Sequence, residues 1–132
     1  MATVRKGCVD VSQGEVHFRY GGRGPLVVLL HHAPRSSVVH IPTIEWLGEH
    51  FTVVALDTPG YGRSSPLPID VPTIADYARA LGEALTALGI ERCALYGWHT
   101  SAKIALQFAV DHPQRTALTI LDGLSLPPEL PD

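Results

Sequence analysis

Four short segments hold most of the side chains in this 132-residue sequence that are equipped for chemistry. They are His31-His32-Ala33-Pro34, the loop from Asp57 through Thr58-Pro59-Gly60-Tyr61-Gly62-Arg63 to Ser64, Gly97-Trp98-His99-Thr100-Ser101, and Asp122-Gly123. Imidazole works as a general base or as a nucleophile, and His31, His32 and His99 carry it. His31, His32 and His99 with Asp122 or Asp57 would also suit a zinc-like ion. No short-range ligand spacing supports that alternative, and the expectation is no metal and no cofactor. His17, His40, His50 and His112 read as ordinary surface or loop residues. Asp57 and Arg63 read as groups that hydrogen-bond loops, and Trp98 as a pocket wall or core residue. Gly21-Gly22-Arg23-Gly24 lacks the lysine-containing spacing of a phosphate loop and reads as a turn.

These segments matter because of what precedes each. Leu26 to Leu30 is continuously aliphatic, as a strand covered on both faces should be. Phe51 to Leu56, Cys93 to Tyr96 and Ala117 to Leu121 are further predicted strands, and each chemical segment follows one of the four. In an open parallel sheet, ligands bind beyond the carboxyl ends of the strands. Helical patterns fill the intervals. Thr43 to His50 is a short helix. Thr73 to Leu88 carries Ile74, Tyr77, Ala78, Leu81, Leu85 and Leu88 on one face, with Thr73 and Asp76 spaced as a capping box. Ser101 to Asp111 turns Ile104, Ala105, Phe108 and Ala109 inward, and His112-Pro113 closes it. Before these, Val9, Val11, Val16, Phe18 and Tyr20 alternate with polar residues around Ser12-Gln13-Gly14-Glu15, which predicts a half-exposed β-hairpin. The alternation implies an α/β domain with a mostly parallel sheet and an N-terminal antiparallel hairpin.

Composition removes several classes of function. Ten Lys plus Arg against thirteen Asp plus Glu, with no basic run, argues against nucleic acid as a partner. The longest aliphatic run is far too short to span a bilayer, so no membrane is expected. The first residues lack the apolar stretch of a signal peptide. Cys8 and Cys93 lie far apart without redox or metal spacing. Together these predict reduced thiols in a cytoplasmic protein.

The motifs in their order resemble the front half of the α/β-hydrolase family. Asp57-Thr58-Pro59-Gly60-Tyr61-Gly62-Arg63-Ser64 is similar to the family's D-x-P-G-x-G-x-S segment, and His31-His32-Ala33-Pro34 resembles its H-G-x-P oxyanion loop. Gly97-Trp98-His99-Thr100-Ser101 falls where the family places its nucleophile elbow. A turn that sharp needs small residues two before and two after the tip, and Gly97 and Ser101 are small. The resemblance implies a three-layer fold and a hydrolase acting on ester, amide, epoxide or related bonds of a small organic substrate. It implies an oxyanion hole made by the backbone N–H groups of Ala33 and Thr100. His99 and Asp122 are its catalytic candidates; Gly97, Trp98 and Ser101 form the elbow; His31 and His32 belong to the pocket.

The sequence also departs from the family. His99 stands where Ser, Cys or Asp is usual, His32 stands where the oxyanion loop usually has glycine, and no complete Ser-His-Asp triad can be assembled. Three readings of His99 therefore stand: a working group, a lost nucleophile in a non-catalytic module that binds small molecules or partners, and a metal ligand. One partial hydrolase domain is expected over 1–132. Residues 1–25 would form the hairpin and turn, 26–126 the oxyanion loop, elbow and core strands, and 127–132 a proline-rich end. The family's later strands and lid have no counterpart in the sequence. The edge of the last strand is then expected to expose apolar surface, for self-association or docking.

Overall fold

The computed structural model describes residues 1–126, so the predicted proline-rich end lies outside the described residues. The hairpin forms from β1 (Arg5–Val11) and β2 (Gly14–Gly22), and β2 continues through Gly21 and Gly22 before the chain turns. Then come β3 (Leu26–Leu30), α1 (Ile41–Leu47), β4 (Thr52–Leu56), α2 (Ile74–Ala87), β5 (Cys93–Trp98), α3 (Thr100–Asp111) and β6 (Thr116–Asp122). A single 3-10 turn, Ser37–His40, leads into α1, which starts two residues earlier than its sequence pattern indicates. Pro42 is tolerated there because the first helical amides need no intrahelical acceptor.

The six strands make one sheet in the order β1-β2-β4-β3-β5-β6. β1 with β2 and β2 with β4 are antiparallel, and the other pairs are parallel. Alternation along the central strands divides the core between the two faces. Val28, Leu30, Val54 and Leu56 pack with Ala78, Leu81, Leu85, Ile104, Ala105 and Phe108 of α2 and α3. Leu29, Val53 and Ala55 pack with Ile44 of α1 on the other face. The architecture is therefore three-layered.

Two local devices fix α2. The Thr73 hydroxyl accepts from the Asp76 N–H while the Asp76 carboxylate accepts from the Thr73 N–H, completing the capping box. At the far side of the sheet, β6 pairs with β5 alone among the described residues. Leu121 packs against the larger cluster, while Leu118 and Ile120 stand exposed.

Candidate functional site

Parallel register places the three working loops at one end of the sheet. Leu30 pairs with Leu56 on one side and Gly97 on the other, so the chain leaves β3, β4 and β5 at nearly the same level. The turn after β5 is the tightest of the three. His99 bridges β5 and α3 with φ 53° and is the only non-glycine residue at positive φ among the described residues. That conformation costs an L-residue on the order of 1–3 kcal/mol and persists only where the surroundings enforce it.

The enforcement is visible. A Cβ on Gly97 would lie 2.4 Å from the Ser101 carbonyl oxygen and 2.8 Å from the Ala102 Cα, so strand and helix meet only because that residue is glycine. The Ser101 hydroxyl accepts from the Trp98 N–H at 2.8 Å and donates to the Trp98 carbonyl at 3.0 Å. Ser101 is buried, with its hydroxyl tied into the turn, and is not placed to act as a nucleophile. The His99 N–H donates to the Asp122 carbonyl at 2.8 Å, tying this turn to the end of β6.

His99 and Asp122 thus meet through the backbone, and their side chains go elsewhere. The imidazole lies against Gly123, where a Cβ would stand 2.8 Å from Nδ1. The Asp122 carboxylate accepts from the Tyr96 hydroxyl at 2.6 Å. Burial, then the bond to Asp122 and its charge, push the Tyr96 phenol up to about 12, so it remains a proton donor across the neutral range. Tyr96 is a site residue that sequence reasoning missed. Its signal was a phenol at the end of a predicted strand, immediately before the elbow glycine.

The loop after β3 reaches the turn after β5. The Ala33 N–H donates to the Thr100 side-chain hydroxyl at 3.0 Å. The two residues expected to supply backbone donors are brought together, with the Thr100 hydroxyl seated on one of those donors. Next to them lies a cavity of about 180 Å³ whose lining includes His31, Ala33, Tyr61, Tyr77, Thr100 and Ile104. His32 belongs to the pocket by sequence but does not line this cavity. It packs on Trp98 with ring centres 4.1 Å apart, and Trp98 in turn packs on His99 at 5.5 Å. Burial, reinforced by the charges of Arg35 and His99, lowers the His32 pKa.

His31 is a tie between loops. Its Nε2 accepts from the Thr58 N–H at 2.9 Å, which leaves Nδ1 as the N–H that donates to the His32 carbonyl at 2.9 Å. Burial lowers its pKa, an effect only partly offset by the bond to His32. With both nitrogens engaged, His31 does not join His32 and His99 around an ion. Among the described residues no group of His, Cys, Asp and Glu is placed to hold a metal.

Two histidines read as surface residues prove to be buried. His17 on β2 places Nδ1 2.8 Å from Asp57 Oδ2, and His40 bonds the Leu30 carbonyl through Nε2 at 3.0 Å. Asp57 also accepts from the backbone N–H groups of Ser37 at 2.7 Å and Arg63 at 3.0 Å. Burial pushes its carboxyl up, but the hydrogen bonds from Ser37, Arg63 and His17 outweigh that and hold it below the usual carboxylate range. Asp57 is therefore the organiser of its loop, as its sequence context indicates.

A strained non-glycine tip thus joins strand and helix between small residues, and the loop after β3 is bonded to the residue that follows it. Residues 25–132 match the model of the alpha/beta hydrolase fold family. The chain belongs to that family. It is 34% identical over 120 residues to a fluoroacetate dehalogenase of Burkholderia sp, a match covering 86% of this chain and 39% of the relative. It is 30% identical over 112 residues to haloalkane dehalogenase 2 of Mycobacterium tuberculosis, covering 85% of this chain and 39% of the relative. Among solved structures, an epoxide hydrolase from an endophytic Streptomyces matches with a TM-score of 0.78 at 28% identity, over 89% of this chain and 36% of that one. E-2-(acetamidomethylene)succinate hydrolase shares the fold with a TM-score of 0.86 at 24% identity, over 93% and 46%. The chain thus spans about two fifths of the length of the relatives it matches. No helix among the described residues is long and apolar enough to cross a membrane.

Proposed function

We propose that this chain carries the elbow and oxyanion side of a hydrolase acting on an ester, amide or related bond of a small organic molecule, with His99 as the reacting group. One observation carries the reading: the strained conformation at residue 99 is held by Gly97, Ser101 and Asp122 around a side chain able to react, where glycine would relieve the strain. A neutral ring nitrogen of His99 attacks the acyl carbon, and the leaving group departs with the bonding pair and takes up, by way of water, the proton that the other ring nitrogen of the acyl-imidazolium gives up. Water then hydrolyses the acyl-imidazole and restores the free ring. The helix α3 aims its first amides at the tip, where negative charge develops on the carbonyl oxygen. The dehalogenase and epoxide hydrolase names among the relatives support small organic substrates in general. Both cysteines are unpaired, which supports a reducing, cytoplasmic setting.

A second reading is favoured by one contact. Asp122 is engaged by Tyr96 and leaves His99 without an orienting carboxylate, as a non-catalytic binding module would. Turnover of 4-nitrophenyl acetate separates the two. Loss of most turnover in His99→Ala, with His112→Ala unchanged, supports the hydrolase. Equal slow background in wild type and both variants supports the binding module, since unorganised histidines hydrolyse activated esters weakly.

A further inference from the structure

Resting on the reading of this pocket as an acyl site, we propose that the Thr100 side-chain hydroxyl is a ligand donor, and that it binds the acyl oxygen of a short-chain carboxylic acid or its derivative. The Ala33 N–H donates into Thr100 Oγ1 at 3.0 Å, and Thr100 donates to no acceptor among the described residues. Its proton is therefore available, and the bond it receives from Ala33 polarises the hydroxyl and strengthens it as a donor. Thr100 also lines the cavity of about 180 Å³, whose other walls include the rings of Tyr61 and Tyr77 and the side chain of Ile104.

The lining of that cavity thus includes a polarised O–H among largely apolar walls. A ligand matching both has an acceptor oxygen at one end and a short hydrocarbon tail. The cavity, about 180 Å³, has room for an acyl group as small as a butyryl unit. An oxygen placed directly on the Ala33 N–H would first have to displace the Thr100 hydroxyl. Thr100 then selects for ligands that bring an acceptor, and an equally sized ligand without one gains nothing from it.

The test uses two probes, butyrate and 1-chlorobutane, titrated into wild type, Thr100→Val and Thr100→Ser and followed by NMR shifts of the residues lining the cavity. Butyrate is expected to bind about tenfold or more weakly to Thr100→Val, the size of effect that follows loss of a hydrogen bond to a charged group. Thr100→Ser keeps the hydroxyl and should stay within about threefold of wild type. Binding of 1-chlorobutane should be the same in all three, which shows that the cavity survives the substitutions. Unchanged butyrate affinity in Thr100→Val overturns the assignment of Thr100 and leaves the acyl pocket standing, as does a loss in Thr100→Ser as large as in Thr100→Val. If neither probe shifts the cavity resonances of the wild type, the pocket reading falls and this assignment falls with it.

Discussion

The loop after β4 and the turn after β5 leave the sheet on either side of β3, and they treat their polar side chains in opposite ways. In the first, Asp57 is buried and its carboxylate accepts from Ser37, Arg63 and His17, while the Ser64 hydroxyl donates to the Asp57 carbonyl. In the second, His99 is exposed and its imidazole has no hydrogen-bond partner among the described residues, while the backbone beneath it is strained. The difference follows from desolvation. A charge taken out of water must have its lone pairs satisfied, so Asp57 recruits every nearby donor and becomes structural. A group left at the surface can stay unpaired, and an unpaired group remains free to meet a ligand. Within one end of one sheet, the most elaborate hydrogen bonding marks the scaffold, and the site is where such bonding is missing.

The contrast can be broken at its strong side first. Asp57→Ala removes the acceptor of three donors and strands His17 in the core, and is expected to cost about 3–5 kcal/mol. Urea unfolding followed by circular dichroism measures it, and a cost below about 1 kcal/mol would show that the cluster is not the scaffold described.

A smaller effect is expected from pH. Burial lowers the pKa of both His31 and His40 from 6.5, so the folded state keeps them neutral while the unfolded state takes up protons. Stability is therefore full above pH 6.5 and is lost as the pH falls from there towards the depressed folded values. Unfolding midpoints taken from pH 7.5 down to pH 5, at roughly half-unit steps, should hold to about pH 6.5 and fall below it, less steeply in His31→Gln. A flat profile in the wild type would contradict the neutral, bridging role of His31.

The weak side gives the smallest change and the opposite sign. His99→Gly relieves the positive φ and should stabilise the fold by about 1 kcal/mol, while removing whatever ester turnover the wild type shows. Destabilisation by this substitution would mean that the imidazole's packing on Trp98 and Gly123 outweighs the strain, making residue 99 part of the scaffold after all.

How much of this was legible in the sequence depends on the reach of each interaction. β3 occupies the residues its aliphatic run marks, and the Thr73–Asp76 box starts α2, because both signals lie within a few residues. The tight turn after β5 is also local, since the close approach of strand and helix there needs the small Gly97. The burial of His17 was hidden because its partner, Asp57, lies 40 positions away and meets it only through the antiparallel pairing of β2 with β4. Tyr96 and Asp122 are joined in the same way, by the register of β5 against β6. Pattern along the chain shows which face of an element is buried. It does not show which polar groups another strand will bring alongside.

The backbone bond from His99 to the Asp122 carbonyl makes the turn after β5 mechanically dependent on β6, which lies at one edge of the sheet among the described residues. Fraying travels inward along a sheet from its edge, and the first event at this edge, the lifting of the end of β6, releases the amide of the residue at the tip. Deuterium uptake at that single amide therefore acts as a gauge of how firmly β6 is held. Anything that clamps the strand, from whichever side, would slow exchange at the elbow without touching it.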